Sequence, residues 1–315
     1  MTSLNEHAWG QVEDAIVEKG ALGITVEERS CGTRILDLGV KAPGGLAAGL
    51  AMARIGMSGL GKSFPEMATA GEIPWVWITT SSDHPLEACF LSQAAHWSVE
   101  IGVFRAMGSG PACLLNRDLG IGNAFAFTEK SDCAVLVLET AVLPDEPTCQ
   151  VLAERCAVKP SKLAIVIAPT SSLAGSAQIA ARSVETALHK LHQLGFDLSK
   201  VASGMGRCPV APPTGSDLDS LGKTNDMVMF AAQVWLSVQD VPDGELAELV
   251  QRLPSASSPS YGEPFLQILK NAGGFYAIDP GLFAPAEVTL TSLDSGRVFH
   301  SGIIDRVRLQ KALGV

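Results

Sequence analysis

Charged side chains are scarce in this chain of 315 residues: Asp, Glu, Lys and Arg make up 18% of it, where about 25% is usual. Apolar types reach 47%, and the mean hydropathy is +0.24. That balance excludes disorder and leaves apolar surface to be hidden, so a homo-oligomer is expected. No Lys/Arg-rich run is present, and 23 basic against 33 acidic residues give a net charge of −10. Such a chain repels phosphate backbones and anionic lipid, so neither nucleic acid nor a membrane surface is an expected partner. Apolar runs such as Leu163 to Ala168 are strand-sized, far short of the roughly 18 residues of a membrane-crossing helix. Residues 1–20 carry Glu6, Glu13 and Asp14 and lack the layout of a signal peptide, which predicts a cytoplasmic protein.

Metal and nucleophile signatures are missing as well. The seven cysteines include no C-x-x-C pair, so they read as reduced core residues. The six histidines form no H-E-x-x-H motif, and His189 with His192 supplies too few ligands for zinc. No bound metal is expected. The G-x-S-x-G elbow of serine hydrolases is also absent.

At roughly 150 residues per domain the length suits one large or two ordinary domains. Ser3-Leu-Asn-Glu6 is a capping box opening a helix with Leu4, Ala8, Val12 and Ile16 on one side, closed by Gly20. Extended stretches flank Ser30-Cys-Gly-Thr33 and Asp294-Ser-Gly296, predicting antiparallel hairpins near both ends. Runs at 74–80, 133–138 and 163–168 predict strands in a mixed α/β arrangement. Gly108-Ser-Gly-Pro111 reads as loop, and 202–216, with four glycines and three prolines, as a linker or cleft-lining loop. The fold class expected is α+β or mixed α/β, two domains with mixed sheets and helices enclosing a cleft. The division suggested is residues 1–80 plus 265–315 against 81–264, with the active site in the cleft between them.

Two patterns compete for function. Gly56-Met-Ser-Gly-Leu-Gly61-Lys62-Ser63 matches the G-x-x-x-x-G-K-S phosphate loop, which implies a nucleotide hydrolase. Its flanks disagree: 44–53 is Gly/Ala-rich rather than a β-branched strand, and Pro65 and Gly71 spoil a following helix. Glu139, after Ala134-Val-Leu-Val-Leu, is the wrong residue for a magnesium aspartate. The other pattern follows the run 163–168: a Ser/Thr/Gly turn, then a helix expected from about Ala177 to Leu194. On it Gln178, Arg182, Glu185 and His189 share one stripe, with Val184, Leu188 and Leu191 on another. Arg182 and Glu185 are an ordinary i,i+3 surface pair or, given the strand and turn before them, part of a ligand site. Asp83-His84-Pro85 is a helix cap or an acid/base site. Thr224-Asn225-Asp226 is a turn before a strand from Met227 to Val238, or a set of hydrogen-bonding groups for a heteroaromatic ring.

Taken together, Ala168-Pro-Thr-Ser-Ser-Leu-Ala-Gly-Ser-Ala-Gln-Ile-Ala-Ala-Arg-Ser-Val-Glu-Thr186, Ala106-Met-Gly-Ser-Gly-Pro-Ala112 and Ile278-Asp-Pro-Gly-Leu-Phe-Ala-Pro-Ala-Glu287 resemble the methenyltetrahydromethanopterin cyclohydrolases. Thr79-Thr-Ser-Ser-Asp-His-Pro85, Lys223-Thr-Asn-Asp226 and Leu253-Pro-Ser-Ala-Ser257 extend the resemblance nearly end to end. Gly61-Lys62-Ser63 is a departure from it, consistent with an accidental phosphate-loop match.

The resemblance implies a two-domain α/β enzyme, usually a trimer, of methanogenesis or methylotrophic formaldehyde oxidation. It interconverts the N5,N10-methenyl and N5-formyl forms of tetrahydromethanopterin or a dephospho relative, without metal or prosthetic group. The family's catalytic pair falls on Arg182 and Glu185. Glu185 is then the general base for water attacking the methenyl carbon, and Arg182 orients it. Asp83, His84, Ser109, Thr170, Ser176, Gln178, Asn225, Asp226 and Phe283 are the expected substrate-binding residues, Phe283 as a stacking surface.

Overall fold

The structure, a computed structural model, describes residues 3–125, 127–273 and 277–315. Two compact units divide the chain, Met1–Gly61 with Glu87–Gln178 and Lys62–Leu86 with Ile179–Val315. The crossings fall at 61/62, 86/87 and 178/179, not at 80/81 and 264/265 as composition suggested. The difference comes from the hairpin 62–82, which is paired into the second unit's sheet, a long-range pairing that composition does not reveal.

The first unit contains α1 (Leu4–Val17), α2 (Lys19–Leu22), β1 (Thr25–Glu28), β2 (Arg34–Asp37) and α3 (Leu46–Gly56). After the crossing come β5 (Trp97–Ile101), β6 (Phe104–Ser109), β7 (Ala134–Glu139), α4 (Glu146–Arg155), β8 (Leu163–Ala168) and α5 (Leu173–Ala180). The sheet order is β1-β2-β8-β7-β6-β5, parallel through β2, β8 and β7 and antiparallel toward both edges. Strands β7 and β8 are nearly unbroken apolar runs because both faces of this sheet are covered. Val135, Val137 and Val166 pack with Ala8, Val12 and Met52 on one side. Leu136, Leu138 and Ile165 pack with Leu152 on the other. Each such side chain contributes roughly 1.5–3 kcal/mol. Ser3 Oγ accepts from the Glu6 N–H, so the capping box opens α1 as expected, though α1 ends at Val17 and Gly23 closes the turn of α2.

Two close approaches shape the carboxyl ends of the parallel strands. A Cβ on Gly49 of α3 would lie 2.5 Å from the Ala174 carbonyl oxygen of α5, so these helices touch at backbone level. The carboxylate of Asp37, fully buried at the end of β2, accepts four backbone N–H groups, from Gly39 and Val40 on Oδ1 and from Lys41 and Ala42 on Oδ2. The side chain thereby satisfies donors that no strand partner reaches.

The second unit is built from β3 (Lys62–Ala70), β4 (Ile73–Ser82), α6 (Ser183–Gln193), β9 (Val201–Pro209), α7 (Asp217–Ala231) and β10 (Gln233–Val238). It is completed by α8 (Asp243–Arg252), α9 (Phe265–Ala272), β11 (Glu287–Ser292), β12 (Val298–Gly302) and α10 (Arg306–Leu313). The order is β12-β11-β10-β9-β4-β3, with only β10 and β11 parallel. Pro65 is tolerated in β3 because that strand is an edge.

Several expectations are corrected here. Gly56 to Ser63 runs from the end of α3 into β3, the reverse of the strand, loop and helix that cradle a phosphate. The phosphate-loop reading falls with it. Residues 224–231 are helical, so the strand expected from Met227 starts only at Gln233. Most of 202–216 is not loop: β9 runs through it to Pro209, its Gly204 and Gly206 letting Val184 and Ser183 of α6 approach the sheet. Gly108 and Ser109 likewise finish β6.

Candidate functional site

In the first unit, β7 and β8 lie in parallel register with Glu139 opposite Ala168, so Glu139 and the turn after Ala168 emerge at the same end. That turn is tightly tied: Ser172 Oγ donates to the Pro169 carbonyl at 2.8 Å and accepts from the Gly175 N–H at 3.0 Å. A Cβ on Gly175 would sit 2.1 Å from the Pro169 oxygen, which only glycine avoids. Thr170, Ser176 and Gln178 are all buried around it. Gln178 Nε2 donates to Glu139 Oε1 at 2.8 Å. Glu139 is the residue that sequence reasoning passed over, having been weighed only as a magnesium ligand. The signal available was its place at the carboxyl end of an apolar strand, where α/β sheets present groups to ligands. Ser109 stands apart: it faces Val137, two positions or about 7 Å along β7 from Glu139.

In the second unit the helix expected from 177 to 194 is broken. Helix α5 ends at Ala180, Arg182 takes φ −93° and ψ 10°, and α6 starts at Ser183. No Gly or Pro marks the break, and the local residues are helix formers, so packing overrides propensity. Gln178 and Glu185 therefore do not share one continuous stripe. Arg182 Nε lies 3.7 Å from Glu185 Oε2, and the two side chains are only 7% and 12% exposed. This is not a solvated surface pair. With so little water around it, each charge requires the other.

Asp83 and His84, both exposed, follow β4. Asp83 Oδ1 accepts from Ser203 Oγ at 2.7 Å, and the His84 N–H donates to Ser82 Oγ at 3.0 Å. Pro85 and Val184 both lie within 4 Å of a Cβ built on Gly204, so this turn approaches the first turn of α6, which holds Glu185. One helical turn beyond Glu185, His189 has its Nδ1 buried without a partner, and burial holds its imidazole below the ordinary range, hence neutral at pH 7.

Asp226 and Phe283, also of this unit, both meet Phe265 at the start of α9, and Asn225 precedes Asp226 on α7. Asn225 Nδ2 donates to the Leu221 carbonyl within α7. Asp226 Oδ1 accepts from the Phe265 N–H at 2.7 Å, and burial pushes its carboxyl up to about 6. Phe283 packs edge-on against Phe265 with centroids 5.6 Å apart. Asp226 also lines a cavity of about 570 Å³ with Lys223, Phe230, Leu266 and Lys311.

None of the seven cysteines forms a disulfide; five are buried as the reduced-core reading expects, while Cys31 and Cys133 are only partly buried. Burial raises the Cys149 and Cys156 thiols to about 12 and lifts Cys133 and Cys208 as well, which keeps them protonated. No helix among the described residues is long and apolar enough to cross a membrane.

Residues 3–313 match the family model described as Cyclohydrolase (MCH). A methenyltetrahydromethanopterin cyclohydrolase of Methanococcoides burtonii is 36% identical over 323 residues, covering all of this chain and 99% of that protein. Proteins of the same name from Rhodopirellula baltica and Xanthobacter autotrophicus are each 39% identical. They cover 94% and 96% of this chain and 91% and 90% of their own lengths.

Proposed function

The chain belongs to the methenyltetrahydromethanopterin cyclohydrolase family, and from that premise we propose that it hydrolyses N5,N10-methenyl-tetrahydromethanopterin, or its dephospho relative, reversibly to the N5-formyl form. The observation that carries the reading is the end-to-end identity with proteins of that name, joined by a nearly buried Arg–Glu pair on the residues that the resemblance makes catalytic.

The methenyl carbon lies between two nitrogens that share its positive charge, so it is electrophilic without a metal or prosthetic group. What it needs is an oriented water and a base. Glu185 takes one proton as the water oxygen bonds to that carbon. Its charge also favours the cation, by about 4 kcal/mol at roughly 4 Å and an effective dielectric near 20, before desolvation and the opposing Arg182 charge are counted. The neutral adduct carries a hydroxyl on the former methenyl carbon. Glu185 returns its proton to N10 as the C–N10 bond breaks, and the hydroxyl proton leaves to solvent as the formyl C=O forms. One water is consumed and one proton released.

A bare guanidinium beside a cationic substrate would repel it. Arg182 is therefore a positioning residue, its charge matched by Glu185. The remaining groups have binding roles in this reading: Thr170, Ser176, Gln178, Ser109, Asp83, His84, Asn225, Asp226 and Phe283. The enzyme works in the cytoplasm, in one-carbon metabolism linked to methanogenesis or formaldehyde oxidation, as a homo-oligomer, in keeping with the family's usual trimer. Incubating the purified chain with the methenyl pterin and following the decay of its chromophore tests the reading. Catalysed decay is expected with or without a chelator, and decay at the uncatalysed rate overturns it.

A further inference from the structure

The two sheets are finished differently. The first is covered on both faces, but the second is buried along the whole of only one, through Ile78, Val234, Leu236, Val288 and Leu290, with Trp77 and Thr79 among the covered positions on the other. Its other face carries Phe64, Met205, Trp235 and Val298 at 45%, 45%, 39% and 63% exposure. These residues come from β3, β9, β10 and β12, so the apolar positions span the sheet. Between them runs a polar row that is paired from strand to strand. Glu66 accepts from Thr79 Oγ1 and lies 3.4 Å from Arg207, Arg207 Nε donates to Gln233 Oε1, and Gln233 Nε2 donates to Glu287. His300 Nε2 closes the row 3.3 Å from Glu287. A groove of about 340 Å³ follows this row along the middle strands.

We propose that this open face is the seat of a second copy of the chain, an inference that rests on the self-association proposed above and names the surface responsible. Charge is the first argument. The whole chain carries −10, so copies repel, yet on this face Lys62 and Arg207 balance Glu66 and Glu287, with His300 beside them. An acidic copy meets least repulsion on such a neutral or weakly basic patch. The second argument is that the carboxylates and guanidinium along the row are already bonded to one another, so covering the row leaves no lone buried charge, the costliest outcome. Size is the third. Six strands about 4.8 Å apart and about six residues long at 3.3 Å each make a patch of roughly 500–600 Å² in projection, which with side-chain relief approaches the roughly 800 Å² per partner of a stable interface. Trp, Phe, Met and Arg are also the types that interface centres favour.

Sedimentation of the full chain at several concentrations tests the proposal, using Trp235→Glu, Met205→Glu and, as a control on the fully exposed turn between β5 and β6, Val103→Glu. Wild type and the control are expected to run as oligomers. Trp235→Glu and Met205→Glu, at positions that already meet solvent, are expected to keep the wild-type circular dichroism and fall to the 33.0 kDa monomer, or to dissociate at least 100-fold more readily. Folded variants of both kinds that keep the wild-type mass overturn the assignment of this face. A monomeric wild type overturns self-association itself. Loss of mass in the control as well shows that any added charge dissolves the assembly, and that too removes the assignment.

Discussion

Replacing Glu185 by Gln is the sharpest perturbation of the mechanism, because the side chain keeps its length and one carbonyl oxygen while losing its charge and its basicity. Two effects should then separate. The catalytic effect is the loss of a general base, worth about 10² to 10⁴ in turnover, or roughly 3–5 kcal/mol of barrier at about 1.4 kcal/mol per decade. The structural effect comes from Arg182. With its Nε 3.7 Å from Glu185 Oε2, Coulomb's law at an effective dielectric near 20 gives about 4–5 kcal/mol of attraction, part of it offset by desolvation. Removing one partner of a buried pair costs about 3–5 kcal/mol of folding stability, out of a typical total of about 5–15. The variant should therefore fold at 25 °C, melt several degrees early and turn over the methenyl pterin hundreds of times more slowly or worse. Glu185→Asp keeps the charge and shortens the reach, so it should melt close to wild type yet remain slow. Chromophore decay under single-turnover conditions, beside thermal melts of the same samples, reads both effects. A folded Glu185→Gln that hydrolyses substrate within threefold of wild type would refute the argument.

Asp37→Asn puts an amide NH₂ where Oδ2 or Oδ1 now accepts two backbone N–H groups, so a loss of at least about 3 kcal/mol is expected in urea unfolding. Asp226 titrates near 6 in the folded protein against an ordinary 3.8, so the folded state binds the extra proton between those values. Its contribution to stability is then fully present below about pH 4 and is lost as the pH rises to about 6, by on the order of 3 kcal/mol. Asp226→Asn should remove that slope when unfolding midpoints at pH 4.5 and pH 7 are compared. Since Lys62 begins a strand rather than a phosphate-binding helix, magnesium ATP should leave the melting temperatures of wild type and Lys62→Ala unmoved. A shift in wild type abolished by the substitution would restore the nucleotide reading.

Legibility in the sequence followed the locality of the signal. Strands β7 and β8 could be read because a strand covered on both faces is apolar along its whole length, and the hairpin turns at 30–33 and 294–296 carry their own turn residues. Helix α7 could have been found from Ser216, whose Oγ accepts from the Asp219 N–H. The apolar run 227–238 hid it, because 227–231 is helical and 233–238 is strand, with one residue between them. Arg182 and Glu185 were visible as a pair, but their burial was not, since nothing local distinguishes a solvated i,i+3 pair from an enclosed one. The break in the helix before them, and the bond from Gln178 to a carboxylate 39 residues away, depend on tertiary packing that no window of sequence contains. The resemblance, rather than periodicity, pointed to chemistry at these positions.

Asp37 has a bearing on how mutational scans of this protein would look. A carboxylate that anchors four consecutive amides through a loop has no substitute of equal shape and charge, so residue 37 should tolerate replacement as poorly as Glu185 does. Its variants would fail through lost abundance, and those of Glu185 through lost turnover per molecule. Scoring expression and activity separately would therefore sort scaffold from chemistry at two positions that a growth screen alone would rank together.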